Sequence, residues 1–243
     1  MIEGRQVLGV IGGLGPLATA HFMELVTNMT DAAADQEHLE MIIHSAPSIP
    51  DRTGYILDHT RPSPLPSMIA IGKKLARQGA DHIAIPCMTA HYFHEELSAG
   101  IPTSIINGIA ETVRCLKEQG ISRVGIMATD GTIRTGLFRR ELERNGMEPL
   151  VPSRERQQDV MHLIYHNIKA NRPAEMDRFH AVRQELQNMG AQAIILGCTE
   201  LSLIKRDQNI GPGFIDAMEV LAQQSVLCCG GVLKEEYKSL ITK

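Results

Sequence analysis

The feature that most constrains this chain is a series of short, unbroken apolar runs, rich in Val and Ile, that alternate with stretches of helical period. The runs are expected as strands at Gln6–Ile11, Leu39–His44, His82–Pro86, Thr103–Ile106, Arg123–Ala128, Gln192–Leu196 and Pro212–Ile215. A strand that is apolar at nearly every position has no solvent face, so both of its sides must be covered. The covering helices are predicted at Leu17–Met29, Ser67–Gln78, Ala90–Ser98, Gly108–Gln119, Ile133–Asn145, Gln157–Lys169, Ala174–Met189 and from Asp216 to the end. Strand and helix in strict alternation predict an α/β fold built on parallel sheet. Gly79, Gly120, Gly146 and Gly190 each fall where a helix should stop, which suits a left-handed terminating residue.

The segment Ser45–Pro66 interrupts the alternation with five prolines, a glycine and two arginines and no periodicity. Long aperiodic loops in compact domains usually carry function, so it is expected as a loop or lid over a site. No linker divides the chain, but two passages repeat. HIAIPCMTAH at 82–91 and AIILGCTEL at 193–201 each run an apolar strand through Pro or Gly into a cysteine, with threonine close behind and a helical pattern after it. Their spacing is close to half the chain. The expected organisation is therefore two pseudo-symmetric domains, each a parallel-rich sheet flanked by helices, with a site in the cleft between them. One half is expected at 1–106 plus 215–243 and the other at 107–214. Ligands of open α/β sheets sit beyond the carboxyl ends of the strands, where both cysteines would lie.

Composition removes several functions. With 24 Lys and Arg against 28 Asp and Glu, a net charge of -4, and four tyrosines, five phenylalanines and no tryptophan, the chain offers neither a phosphate-neutralising surface nor a base-stacking platform. No nucleic-acid partner is expected. The apolar stretch at the start is broken by glycines and a proline after a few residues, and no run approaches the length of a membrane span, so no membrane partner and a cytoplasmic location are expected. Five cysteines, without CxxC spacing, argue against a disulfide framework or a zinc knuckle, and no metal is expected.

The chemistry then rests on which thiols react. Cys115 falls mid-helix and Cys228 and Cys229 near the end of an apolar helix, as packing residues do. A cysteine at one strand end is also an ordinary core filler, but Cys87 and Cys198 share a context. Both precede predicted helix N-termini, where the dipole and free N–H groups favour thiolate. Two thiols without a neighbouring triad base suit proton transfer at carbon, one acid/base group on each face of the substrate. Backbone amides at the turns, with the Thr89 and Thr199 hydroxyls, would stabilise the developing charge. Arg52 and Lys169 are the candidate carboxylate anchors, with surface pairing and helix C-terminal stabilisation as their ordinary alternatives. Asp51 is a candidate to orient Arg52, and His91 to support the first turn.

Gly13, Gly15 and Ala18 also fit a dinucleotide fingerprint after a strand. The acidic residue that should end the second strand is absent, where His44 and Ser45 stand, so no nucleotide cofactor is expected. These turn amides are expected to face a carboxylate instead.

GGLGPLAT at 12–19, DQEHLE at 35–40, SIPDRT at 48–53, PCMTAHYF at 86–93, ATDGTI at 128–133 and LGCTEL at 196–201 together resemble the aspartate/glutamate racemase family, in particular its aspartate racemase branch. The resemblance runs in order over nearly the whole chain. It implies a cofactor-independent amino-acid racemase of two pseudo-symmetric α/β domains, often dimeric, acting on aspartate or glutamate. The family's catalytic cysteines fall on Cys87 and Cys198, its loop arginine on Arg52, its lysine on Lys169 and its substrate-contacting threonines on Thr89, Thr132 and Thr199. One position departs: the family commonly reads PCNTAH, with an asparagine amide on the substrate α-carboxylate, and here Met88 holds that substrate-contacting position. A thioether cannot donate, and a donor lost from a charged group costs about 1.5–3 kcal/mol. The alternatives are a dicarboxylate cis–trans isomerase or decarboxylase of the wider superfamily, or a non-catalytic dicarboxylate-binding protein.

Overall fold

The computed structural model describes residues 4–242. Met1–Glu3 and Lys243, at the ends of the expected first half, lie outside the described residues. The chain forms two four-stranded sheets in which all paired strands are parallel. The first contains β1 (Leu8–Gly12), β2 (Met41–Ser45), β3 (His82–Ala84) and β4 (Ser104–Ile105), in the order β2-β1-β3-β4. The second contains β5 (Arg123–Met127), β6 (Glu148–Leu150), β7 (Ala193–Leu196) and β8 (Phe214–Asp216), in the order β6-β5-β7-β8. One winding is thus used twice. In each sheet the strand order reverses beside the central strand, which opens a crevice at the carboxyl ends of β1 and β3 and again at β5 and β7.

Helices α1 (Pro16–Met29), α2 (Arg52–Leu57), α3 (Leu65–Arg77), α4 (His94–Gly100) and α5 (Gly108–Glu118) follow the first sheet's strands. The second is dressed by α6 (Asp130–Thr135), α7 (Leu137–Arg144), α8 (Arg154–Met161), α9 (Met176–Asn188) and α10 (Thr199–Asp207), and the chain then continues into α11 (Ala217–Cys228). The core has three apolar clusters. Leu8, Val10, Phe22, Val113, Val124, Ile126, Leu221 and Val226 belong to one that runs between the two sheets. Two more fill the outer faces, around Phe179 and Phe214 on one side and Met68, Leu75 and Ile83 on the other. Phe22, Phe138, Phe179 and Phe214 are all but fully buried, each contributing about 1.5–3 kcal/mol of transfer free energy. Helix α11 packs against both α1 and α5, and the chain after it bridges Leu233 to Thr30 and Ile241 to Ile215.

The glycines predicted to stop helices do so: Gly79, Gly120, Gly146 and Gly190 have φ of 97°, 71°, 75° and 90°. Other expectations need correction. Strand β6 was not expected, because Pro149 and Glu148 disguise it; Pro is tolerated there because β6 lies at a sheet edge. The helix expected over Ile133–Asn145 is two helices, broken where Gly136 turns left-handed at φ 63°. The helix expected from Asp216 onward stops at Cys228, before Gly230 with φ 74°. Ser45–Pro66 is not a plain loop. Asp51 caps α2 within it, its Oδ1 accepting from Gly54 N at 2.6 Å, and prolines confine the helix on either side.

Candidate active site

Four turns at the carboxyl ends of β1, β3, β5 and β7 supply the site. After β1, Gly13 adopts φ 87°, and a methyl group on it would stand 2.3 Å from Ala46 N, so only glycine lets the turn lie against the backbone after β2. Thr19 ties this turn to α1, accepting from Gly13 N at 2.8 Å and donating to the Gly15 carbonyl at 2.9 Å.

After β3, Cys87 is extended (φ -162°) and the chain enters a 3-10 turn over Met88–Phe93. His91 braces that turn. Its Nε2 accepts from Gly108 N at 3.1 Å, and its Nδ1 is 3.1 Å from the Cys87 carbonyl, which can only accept. The ring is therefore neutral with its proton on Nδ1, and burial lowers its pKa to about 4. His91 is a support, as expected. Met88 does not reach the cleft. It is 1% exposed, in the core between the sheets, and its Sδ packs against Gly108.

Thr89 points across to the turn after β5. Its hydroxyl lies 3.0 Å from that of Thr129 and 3.1 Å from that of Thr132, and the latter two are 3.2 Å apart. Three buried hydroxyls thus join the two sheets. Thr129, not foreseen, also caps α6 by accepting from Thr132 N.

After β7, Cys198 is again extended (φ -143°) and immediately precedes α10, without a side-chain bond to the helix N-terminus. The thiol donates to Glu200 Oε2 at 2.9 Å, and the Thr199 hydroxyl lies 3.3 Å from the same oxygen. Burial, reinforced by the Glu200 carboxylate, pushes the Cys198 thiol well above its ordinary range. The pull of the helix N-terminus toward thiolate, worth about 0.3–1 kcal/mol, is opposed at this cysteine by desolvation beside a carboxylate.

Lys169 follows a π-helical turn over His162–Ile168 that sets its ammonium 4.9 Å from the Tyr165 ring centroid and 3.6 Å from Glu200 Oε1. Burial works against its charge, but the Glu200 carboxylate, the largest opposing influence, raises its pKa above the usual lysine range. Arg52, the first residue of α2, is 6% exposed. Its Nη1 donates to the carbonyls of Ile49 and Pro50 at 3.4 and 3.1 Å, and its Nη2 to that of Leu14 at 2.7 Å; Nε is buried without a partner. Burial opposes its charge too, and Cys87, Asp51 and Glu200 outweigh that and raise its pKa. Asp51 does not bond Arg52; besides capping α2 it accepts from the Tyr165 hydroxyl at 3.4 Å.

These groups surround a cleft of about 640 Å³ walled by Gly13–Ala18, Pro47, Ile49, Asp51 and Arg52 from one half and by Ile168, Lys169, Asn171, Glu200 and Leu203 from the other. Neither cysteine forms its open surface. Cys87 lies close to Arg52, and Cys198 is hydrogen-bonded to Glu200, each cysteine 6% exposed. Among the described residues no group of three or more His, Cys, Asp or Glu is placed to hold a metal ion, and no helix is long and apolar enough to cross a membrane. Glu200 was missed because an acid in a helix's first turn reads as a dipole partner; its place two residues after a cysteine was the available signal.

The sequence profile of the Asp/Glu/hydantoin racemase family matches residues 11–225. The broad specificity amino-acid racemase RacX of Bacillus subtilis is 26% identical over 227 residues, 90% of this chain and 96% of that protein. The aspartate racemase of Picrophilus torridus superposes with a TM-score of 0.86 at 31% identity, covering 97% of this chain and 99% of that one. The glutamate racemase of Francisella tularensis, solved with D-glutamate, shares the fold at a TM-score of 0.61 and 16% identity over 93% of this chain and 81% of its own. With its doubled sheet and ordered motifs, the chain belongs to the Asp/Glu/hydantoin racemase family, on its aspartate racemase branch.

Proposed function

We propose that the protein is a cofactor-independent racemase of an acidic amino acid, aspartate or glutamate, working by two-base proton transfer between Cys87 and Cys198. The observation that carries this reading is the occurrence of two cysteines at equivalent turns of two matched sheets, one close to Arg52 and one bonded to Glu200, both of which line a single cleft. Arg52 and Lys169 hold the substrate carboxylates and stabilise the charge that builds up when the α-proton leaves. Cys87 removes the proton from one face while the Cys198 thiol delivers its own to the other; for the opposite enantiomer the roles exchange. Arg52 supplies counter-charge on the Cys87 side and Lys169 on the Cys198 side.

The division into halves at 1–106 with 215–243 and at 107–214, the substrate contacts of Thr89, Thr132 and Thr199, and a homodimer belong to the same proposal. Because Met88 packs into the core, the α-carboxylate in this reading is held by Arg52, Lys169 and the amides of Leu14 and Gly15.

The test is a panel of acidic and neutral amino acids, maleate and a substituted malonate, incubated with the purified protein in deuterated water without added cofactor. Deuterium entering the α-position of aspartate or glutamate, followed by the opposite enantiomer, is the expected result. Turnover of maleate or the malonate alone would replace this reading with an isomerase or decarboxylase. Calorimetric binding of succinate with no exchange from any amino acid would leave a non-catalytic binder.

A further inference from the structure

We infer that Glu200 is the proton relay of the Cys198 wall, returning a solvent proton to the Cys198 sulfur after each turnover; the inference rests on the two-cysteine racemase reading above. The two carboxylate oxygens of Glu200 face different surroundings. Oε2 accepts the buried thiol at 2.9 Å, while Oε1 meets Lys169 Nζ at 3.6 Å and lies against the cleft turn, where a methyl on Gly15 would stand 3.4 Å from it. Cys198 is not part of the cleft surface, whereas Glu200 and Lys169 are. Glu200 is thus a cleft-lining side chain hydrogen-bonded to the thiol, a path for a proton from cleft water to the sulfur while substrate or product occupies the space before it.

The chemistry calls for a proton source at this sulfur. Once Cys198 has given its proton to the substrate carbon, a thiolate faces a carboxylate at hydrogen-bond distance, with Lys169 as the nearby cation. The next turnover in the same direction needs the S–H bond rebuilt. A proton from cleft water adds to Glu200 as an O–H bond, and rotation of the carboxyl group about its Cγ–Cδ bond carries it to the sulfur. The O–H bond then breaks as the S–H bond forms. The proton that Cys87 took from the substrate passes to solvent, so protons balance over the cycle. Thr199, whose hydroxyl lies 3.3 Å from Oε2, keeps the carboxylate at the sulfur between transfers.

The experiment compares wild type, Glu200→Ala and Glu200→Gln in deuterated water, following inversion and α-deuterium incorporation separately for each enantiomer, with and without acetate. In Glu200→Ala, inversion is expected to fall at least about 100-fold, the low end of general acid–base contributions, and to recover in proportion to acetate, which replaces the missing carboxylate. Exchange without inversion should persist from the enantiomer whose α-hydrogen faces Cys87. Glu200→Gln still accepts the thiol hydrogen but has no proton to give, and its amide fills the space, so inversion should be as slow and acetate should not restore it. Inversion at the wild-type rate in either variant overturns the relay. So does a Glu200→Ala protein that loses exchange from both enantiomers and gains nothing from acetate, which is the outcome for a purely structural glutamate. Wild type that neither exchanges nor inverts would instead overturn the racemase reading itself.

Discussion

Cys87 and Cys198 occupy equivalent turns but meet opposite charges: Arg52 stands beside the first, and Glu200 accepts the proton of the second. A cysteine held as a thiol by a carboxylate is prepared to give a proton, and one beside a guanidinium has a counter-charge when it takes one. Repeated context marked these two thiols as candidates, whereas Arg52 and Lys169, which have ordinary readings in the sequence, are brought together only by the fold, in the lining of one cleft. Glu200 and Thr129 were not legible, since a first-turn acid and a helix-capping threonine are what an ordinary helix start contains. Met88 shows the opposite failure. Its position in the motif pointed to substrate, but its side chain packs on Gly108 in the core, which no spacing rule foretells. Met88→Asn, although it restores the family's usual residue, is therefore expected to lower unfolding free energy by about 1–3 kcal/mol, the cost of burying an amide without partners. Denaturant melts of the two proteins measure this; equal stability would mean that the asparagine finds hydrogen bonds that the thioether does not reveal.

At the scale of elements, the 3-10 turn carrying Cys87 is strapped to the start of α5 by one neutral imidazole. His91 titrates at about 4 in the folded protein against 6.5 for an unperturbed ring, so as pH falls the unfolded chain takes up its proton first. The stabilising contribution is complete above pH 6.5 and is lost progressively toward pH 4, amounting to on the order of 3 kcal/mol over that window. Stability of wild type and His91→Gln, measured from pH 7 to pH 4, should show a steeper decline for wild type; parallel curves would exclude a buried neutral His91. The same scale shows where periodicity runs out. The apolar strands and glycine stops were readable because burial on both faces and a positive φ leave plain marks. Strand β6 carries an edge proline, and α2 is too short for a period, so neither left one. The break at Gly136 was hidden because glycine inside a helical pattern is tolerated at a cost of about 1 kcal/mol.

At the scale of the molecule, one sheet topology used twice sets its carboxyl edges on either side of a cleft. The halves are joined by the core cluster between the sheets, by α11 packed on α1 and α5, and by the three hydroxyls of Thr89, Thr129 and Thr132. The doubling was visible in the repeated cysteine passages; the contacts across it were not, since they depend on how two separately encoded sheets meet. The central claim is that one cysteine serves each face of the substrate. It is tested most directly by the enantiomer dependence of α-proton exchange in Cys87→Ser and Cys198→Ser. Each variant is expected to lose inversion by about 100-fold or more while keeping exchange from one enantiomer, and the two should keep opposite enantiomers. Full inversion in either variant, or exchange from the same enantiomer in both, would contradict the account.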